Sequence, residues 1–206
     1  TLTGRGVYYG VNASDASQCA GDDVFLVGAG NSAGQAILNL AKHASQAVLV
    51  VRGVSLESSM SQYLVDRITS TPNIEVRLRH EISAVHGSDH LEAVELTNRD
   101  SGATETVATS WLFVFIGAEP HTDWLGDAVR RDPHGFIVTG HDLLATTEPA
   151  EYARWSQARP PLPLETAVPG VFAAGDVRLD SMKRVASAVG EGAMAVANIH
   201  QYLAMA

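Results

Sequence analysis

The sequence predicts an α/β protein in which a parallel sheet is combined with an antiparallel meander and followed by a second α/β segment. Short apolar runs and segments of helical periodicity alternate over residues 24–51, which is typical of a parallel sheet covered by helices. Residues 81–109 alternate apolar and polar side chains around two tight turns, which indicates antiparallel hairpins. Residues 112–119 and 170–176 share one plan, an apolar strand followed by glycine and an acid, so each looks like the last strand of a domain.

Composition limits the class of protein. The 206 residues are 46% hydrophobic, enough for a buried core of one large domain or somewhat more. Because 23 acidic residues outnumber 14 Lys and Arg, binding to nucleic acid or to an anionic membrane is not expected. The single cysteine, Cys19, excludes an internal disulfide framework and a thiolate zinc site. The apolar runs are short and no signal peptide is visible, so we expect a soluble, cytoplasmic protein.

The predicted elements follow in chain order. Residues 1–21 are expected to form a loop with one short helix. Strands are predicted at 24–27, 47–51 and 73–79, and helices at 33–43 and 58–67. The antiparallel meander is predicted at 81–109, and a central strand at 111–116. Ser58 and Ser59 are expected to cap the second helix. An exposed proline-rich loop at 145–163, a buried strand at 171–174 and a long Ala-rich helix at 181–203 complete the chain.

A glycine motif joins the first predicted strand to the first predicted helix. Gly28 allows a tight turn, and Gly30 has no Cβ, so a pyrophosphate can approach the backbone. Ala33 is small enough for the helix to pack on the sheet. With Asn31 and Ser32 these residues form a predicted dinucleotide site, in which free N–H groups at the helix start bind the phosphates. The alternative is a plain glycine turn between a strand and a helix.

The residue after the second strand is expected to select the nucleotide. An enzyme that uses NAD usually has Asp or Glu there, but here Arg52 follows the strand and no acid occurs before Glu57. A guanidinium suits a 2′-phosphate, and Ser55, Ser58 and Ser59 could add hydroxyl contacts. This favours NADPH over NADH. The alternative is a solvated surface arginine.

Five segments in order carry a resemblance to a known family: residues 6–9, 28–33, 115–120, 135–139 and 168–177. They resemble the C-terminal two-thirds of the low-molecular-weight thioredoxin reductases and their flavoprotein relatives, over nearly the whole chain. In that family an NADPH domain is inserted into a FAD domain, both of them Rossmann-like. The resemblance therefore implies an NADPH-binding domain over residues 1–122 and the C-terminal part of a FAD-binding domain over residues 123–206.

The resemblance also implies further site residues. Asp176 would hydrogen-bond the FAD ribityl chain, and the segment from Lys183 would start the last helix beneath the isoalloxazine, where positive charge stabilises the reduced flavin. The implied cofactor-binding residues of this part are Ile116, Gly117, Gly175, Asp176, Lys183, Arg184 and Val185. The alternatives are a turn cap for Asp176 and solvated charges for Lys183 and Arg184. No catalytic residue and no metal ligand is predicted.

Two departures from the family shape the functional expectation. Thioredoxin reductases carry a redox Cys-x-x-Cys where this chain has residues 10–13, Gly-Val-Asn-Ala, so exchange with a dithiol is not expected. The upstream half of the FAD domain is absent from these residues, so we expect them to retain a folded NADPH domain but not FAD. Cysteine-free flavoproteins of this type include ferredoxin-NADP reductases and proteins fused to regulatory modules.

The leading hypothesis is an NADPH-dependent flavoprotein oxidoreductase that passes hydride from NADPH to FAD and on to an unidentified acceptor. The alternative is a regulatory or sensor module that binds NADP(H) without turnover. A homodimer, a fused upstream FAD half and a fused regulatory domain all remain open.

Overall fold

The computed structural model describes residues 2–11, 13–144 and 155–205. The chain divides into two compact units, Thr1–Gly117 and Ala118–Ala206, called here the first and the second unit. Their assignment to an NADPH-binding and a FAD-binding domain, with the division after residue 122, stays a prediction.

The first unit contains two sheets and three helices among its described residues. In chain order its elements are β1 (Val7–Tyr9), α1 (Ala13–Gln18), β2 (Asp23–Val27), α2 (Asn31–Leu40), β3 (Gln46–Val51), α3 (Gln62–Thr69), β4 (Ile74–Leu78), β5 (His80–His86), β6 (Ala93–Asn98), β7 (Thr104–Ala108) and β8 (Leu112–Val114). The five-stranded sheet is parallel in the order β1-β8-β2-β3-β4. Strands β5, β6 and β7 form the predicted antiparallel meander.

Both faces of the parallel sheet are covered, which explains why β2 and β3 are continuous apolar runs. On one face, side chains such as Leu26, Leu49 and Phe113 pack against α2 and α3. On the other face, Phe25 and Val48 pack with buried residues of the meander. Because successive side chains of a strand point to opposite faces, the residues of one apolar run pack alternately into two cores.

Most predicted elements of the first unit are confirmed, with two corrections. Residues 7–9, expected to lie in a loop, form β1, which pairs with β8 in parallel register. The helix expected at 58–67 begins at Gln62, with Ser61 at its N-cap and no side-chain cap bond. Ser58 and Ser59 therefore do not cap it, because the chain makes a separate turn at residues 56–60 before the helix starts.

The described residues of the second unit form irregular chain, short 3₁₀ turns and one long helix, α4 (Val185–Met205). The buried strand expected at 171–174 is wrong. Only Phe172 makes an isolated bridge, to Glu165, and Val171 is 45% exposed. An apolar run becomes a strand only where a neighbouring strand pairs with it along its length. Among the described residues, this run is paired only through the two hydrogen bonds of the bridge, from the Thr166 N–H to the Val171 carbonyl and from the Ala173 N–H to the Leu164 carbonyl.

Buried polar side chains hold this irregular segment together. The Glu165 carboxylate is 0% exposed and accepts hydrogen bonds from both terminal nitrogens of Arg159, each at 2.7 Å. The N–H groups of Leu162 and Gly170 also donate to it, at 2.8 and 2.9 Å. Burial alone would raise the pKa of Glu165, but these four hydrogen bonds outweigh it and the pKa lies below its ordinary value.

Two further features concern the expectations for loops and membranes. Of the exposed loop expected at 145–163, residues 145–154 lie outside the described residues. No helix in the described part of the chain is both long and apolar enough to cross a lipid bilayer.

Candidate functional site

The predicted nucleotide-binding residues of the first unit meet at the carboxyl edge of the parallel sheet. From β2 the chain continues through β3 to β4 on one side, and it returns through the meander to β8 on the other side. The strand order therefore reverses between β2 and β8, where open α/β sheets form a ligand-binding crevice. Gly28 follows β2 at this point, and Ile116 and Gly117 follow β8. Ile116 is 62% exposed there.

Gly28 is required by the backbone. Its φ of +152° lies in the region that favours glycine, and a Cβ there would come within 2.6 Å of the Phe115 carbonyl oxygen. Its N–H donates to the Val50 carbonyl at 3.1 Å, which fixes the turn against β3. The close approach of the two chain segments at the switch point thus depends on this glycine.

Gly30 is different, because the protein itself leaves the space beside it open. It is the N-cap of α2 with φ −83° and ψ 176°, a conformation open to any residue, and a Cβ there would meet nothing within 4 Å. The N–H groups of Asn31, Ser32 and Ala33 have no partner in the described part of the chain, as expected for the first turn of a helix. Open space and free N–H groups together suit a phosphate.

The loop after β3 is tied to the glycine turn. The Ser59 hydroxyl donates to the Ala29 carbonyl at 2.9 Å, and the N–H of Ser61 donates to Oδ1 of Asn31 at 2.8 Å. The Ser58 hydroxyl donates to the Ser55 carbonyl at 3.3 Å. The hydroxyl hydrogens of Ser58 and Ser59 are thus engaged within the protein, and the Asn31 side chain also holds the loop.

Arg52 directly follows β3 and its side chain is exposed. Its guanidinium makes no hydrogen bond or ion pair with the residues that the structure describes, whereas its carbonyl accepts a 3.5 Å contact from Arg99. The predicted cation therefore lies at the carboxyl edge of the sheet with its donors available.

In the second unit, Gly175 and Asp176 form a 3₁₀ turn that is held by α4. The N–H of Gly175 donates to Oε2 of Glu191 at 2.7 Å, and Arg178 donates to the same carboxylate at 2.7 and 3.2 Å. The hydrogen bonds from Arg178, together with that from Gly175, lower the pKa of Glu191. The hydrogen bond to Glu191 raises the pKa of Arg178.

The Asp176 carboxylate is exposed and has no hydrogen-bond partner among the described side chains and backbone groups. No side chain caps the 3₁₀ turn of Gly175–Val177, so Asp176 does not act as its cap. Its carboxylate oxygens are therefore available to accept hydrogen bonds from a ligand hydroxyl.

Lys183 lies two residues before the start of α4 and is held in place. Its Nζ donates to the Asp176 carbonyl at 3.0 Å and to the Ser181 hydroxyl at 2.9 Å, and it lies 4.0 Å from the Phe136 ring centroid. Arg184 is exposed, and Val185 is the first residue of α4 with 82% of its surface exposed. The helix expected to start at residue 181 therefore starts four residues later, because Lys183 has a left-handed backbone (φ 50°) and its ammonium is engaged in the preceding turn.

Sequence reasoning missed the groups that position these residues. Glu191 and Arg178 are not part of any motif, and their contact joins residues 13 positions apart. The available signal was a lone carboxylate within an Ala-rich helix, which needs a partner when it faces the protein.

A separate cleft of about 1020 Å³ lies within residues 118–136 of the second unit. Charged side chains of both signs line it, among them Glu119, Asp127 and Arg130. None of the predicted site residues lines this cleft.

Comparison with known proteins assigns the family. Residues 10–192 match the model of a family described as pyridine nucleotide-disulphide oxidoreductase. The chain belongs to the pyridine nucleotide-disulphide oxidoreductase family. Its members bind a flavin and a pyridine nucleotide, so the predicted pair of cofactors, FAD and NADPH, is confirmed at the level of the family.

Curated relatives agree with this assignment. The chain is 29% identical over 181 residues to the F component of alkyl hydroperoxide reductase from Staphylococcus aureus, covering 88% of this chain and 31% of that protein. It is 28% identical over 208 residues to thioredoxin reductase of Peptoclostridium acidaminophilum, covering 98% of this chain and 58% of that protein. The chain thus spans about a third to under three fifths of the length of these oxidoreductase relatives.

A solved structure confirms the predicted Rossmann-like α/β fold. Thioredoxin reductase of Lactococcus lactis, in its FR conformation, has a TM-score of 0.74 with 21% identity. The match covers 98% of this chain and 59% of that structure.

Proposed function

We propose that the chain forms the nucleotide-binding domain and the C-terminal part of the flavin-binding domain of an NADPH-dependent flavoprotein oxidoreductase. In this proposal hydride passes from NADPH to FAD and on to an acceptor that is not a dithiol of this chain. The observation that carries the proposal is the open, glycine-capped N-terminus of α2 at the switch point of the sheet. At the same sheet edge lies Arg52, whose guanidinium has no partner among the described residues. Family membership supports oxidoreductase chemistry rather than a sensor without turnover.

The residues of the first unit fit a dinucleotide with a 2′-phosphate. The N–H groups of Asn31, Ser32 and Ala33 would receive the pyrophosphate, because Gly30 presents no Cβ. The Arg52 guanidinium would bind the 2′-phosphate through paired, charge-assisted hydrogen bonds. Hydrogen bonds to the two uncharged ribose hydroxyls of NADH would be weaker. NADPH is therefore favoured over NADH at this edge of the sheet.

The residues of the second unit fit a flavin. The free carboxylate of Asp176 would accept hydrogen bonds from ribityl hydroxyls, and Glu191 would keep that carboxylate in position through the Gly175 N–H. The N-terminus of α4 would provide a positive field to the flavin. The flavin supplies the hydride-accepting chemistry when bound, and the chain supplies position and electrostatics.

The proposal excludes one class of electron acceptor, a dithiol of this chain, and names no other. Cys19 is the single cysteine of the 206 residues, its side chain is fully buried, and its thiol donates to the Ala16 carbonyl at 3.2 Å. Of the tetrapeptide at residues 10–13, Asn12 lies outside the described residues. A buried thiol with this contact is a poor nucleophile, so the electrons are expected to leave the flavin by another route.

Calorimetric titration of the 206-residue chain with NADPH and NADH tests the nucleotide part. NADPH should bind more tightly, and Arg52→Ala should remove most of that difference, about tenfold for the loss of a charged contact. Arg67→Ala, in the last turn of α3, is the matched control and should change neither affinity. Equal affinities of the unaltered chain for NADPH and NADH would contradict the assignment.

The flavin part requires a longer protein that contains the upstream FAD half. Its visible absorption should show bound flavin, and NADPH should bleach that absorption under anaerobic conditions. A spectrum without flavin would support the alternative of a nucleotide-sensing module.

A further inference from the structure

The backbones of three arginines from different parts of the first unit lie close together beside the end of β3. Arg52 follows β3 and Arg79 follows β4, and because Val51 pairs with Leu78 the two arginines end neighbouring strands at the same level. The N–H of Arg79 donates to the Gly53 carbonyl at 3.0 Å. These contacts place the backbones of Arg52 and Arg79 side by side at the carboxyl edge of the sheet.

Arg99 reaches this place from the turn between β6 and β7. Its N–H donates to the Arg79 carbonyl at 2.8 Å, and its Nη1 lies 3.5 Å from the Arg52 carbonyl oxygen. The turn is held by the Asn98 side chain, whose Oδ1 accepts the N–H groups of Asp100 and Ser101 at 3.0 Å each. The backbone of Arg99 is therefore fixed beside Arg79, and its guanidinium lies beside the backbone of Arg52.

The guanidinium groups of Arg79 and Arg99 have N–H donors that remain available to an anion. Arg79 pairs with Asp100, and Nε of Arg99 lies 3.2 Å from Glu81. Each guanidinium has five N–H donors, so these single contacts leave most of them available. The side chains of Arg79 and Arg99 are 49% and 51% exposed, so their remaining donors face water.

The local charge also favours an anion. Arg79 and Arg99 are each paired with one carboxylate, whereas the Arg52 guanidinium has no ion pair among the described residues, which leaves one positive charge there in a chain whose net charge is −9. A 2′-phosphate has a charge of about −1.5 to −2 and three acceptor oxygens, as other phosphate monoesters do. Its three acceptor oxygens suit the forked guanidinium donors better than the two oxygens of a carboxylate would.

We propose that Arg79 and Arg99 complete, with Arg52, a three-arginine site that reads the 2′-phosphate of NADPH. The inference rests on the proposed function and adds two specificity-determining residues from outside the segment that follows β3. Asp100 competes with the phosphate for Arg79, so the Asp100 carboxylate limits the affinity for NADPH but not for NADH.

Titration calorimetry of the 206-residue chain with NADPH and NADH tests the site. Arg99→Ala should weaken NADPH binding about tenfold and NADH binding less than about twofold, as expected for one charged contact. Arg79→Gln should act in the same direction, since it removes the charge and keeps the stem. Asp100→Asn should tighten NADPH binding severalfold and leave NADH unchanged, an effect that a merely structural role would not produce.

Arg67→Ala serves as the control, and circular dichroism confirms that each variant is folded. Unchanged NADPH affinity in the Arg99 and Arg79 variants overturns the inference, and so does an equal loss for both nucleotides. In either case the unaltered chain still prefers NADPH, so the proposed function stands. If the unaltered chain shows no preference for NADPH, the proposed function itself fails and the inference falls with it.

Discussion

The buried ion pair of the second unit allows a quantitative test. In Glu165→Gln the side-chain volume is retained, but one carboxylate oxygen becomes an NH₂ group. The amide oxygen can still accept two of the four hydrogen bonds, for example from Gly170 and one nitrogen of Arg159. The NH₂ group then faces the remaining two donors, the Leu162 N–H and the other Arg159 nitrogen.

The expected cost follows from this geometry. Breaking a buried ion pair by removing one partner costs about 3–5 kcal/mol, and the low end applies because the Arg159 side chain is 25% exposed and can be rehydrated. We therefore expect a loss of about 3 kcal/mol, a large part of the roughly 5–15 kcal/mol that stabilises a typical domain. Such a loss raises the population of locally opened chain roughly a hundredfold.

Amide hydrogen exchange followed by mass spectrometry measures this population in the second unit alone. The N–H groups of Gly140, Thr166 and Ala173 bond to carbonyls around the ion pair and should exchange roughly a hundredfold faster in the variant. Glu119→Gln makes the same chemical change at an exposed carboxylate of the same unit and should leave these rates unaltered.

The reasoning is refuted if Glu165→Gln accelerates the exchange of these three amides no more than Glu119→Gln does. That result would mean that the four hydrogen bonds contribute no net free energy to the fold of the second unit. Peptides of the first unit provide an internal reference within each measurement.

Two further predictions concern the glycine turn and acid pH. Gly28→Ala should lower the thermal midpoint of the chain, because its Cβ would approach the Phe115 carbonyl oxygen within 2.6 Å. Gly30→Ala should leave the midpoint unchanged and weaken nucleotide binding, because its Cβ would contact only a bound ligand. Thermal scans and titrations of both variants check this, and equal midpoints for the two would contradict it. Because the pKa values of Glu165 and Glu191 are lowered by folding, their stabilisation is complete above the unfolded value of about 4.3 and is lost as the pH falls through the folded pKa values. Urea denaturation monitored by exchange at falling pH should show the second unit losing stability below about pH 4, and less steeply in Glu191→Gln.

The sequence alone determined the elements whose signals are local. Apolar runs of four to six residues, the glycine motif before α2 and the turns of the meander each depend on neighbouring residues, so strands β2, β3, β4 and β8 and the position of Gly28 were predicted from pattern. Arg52 could be predicted as a site residue because it directly follows a strand that the sequence pattern predicts.

The tertiary structure decided whatever depends on partners distant in sequence. Strand β1 has only three residues and is a strand because β8, more than 100 positions away, accepts its hydrogen bonds. The run at 171–174 has the composition of a strand but is not one. Among the described residues it is paired only through an isolated bridge between Phe172 and Glu165. The contacts of Arg79 and Arg99 with the loop after β3, and of Glu191 with Gly175, join segments separated by 16–47 positions. Pairing of this kind leaves no periodic trace, because the free energy of such a contact depends on where the fold brings two backbones together and not on the residues beside either one.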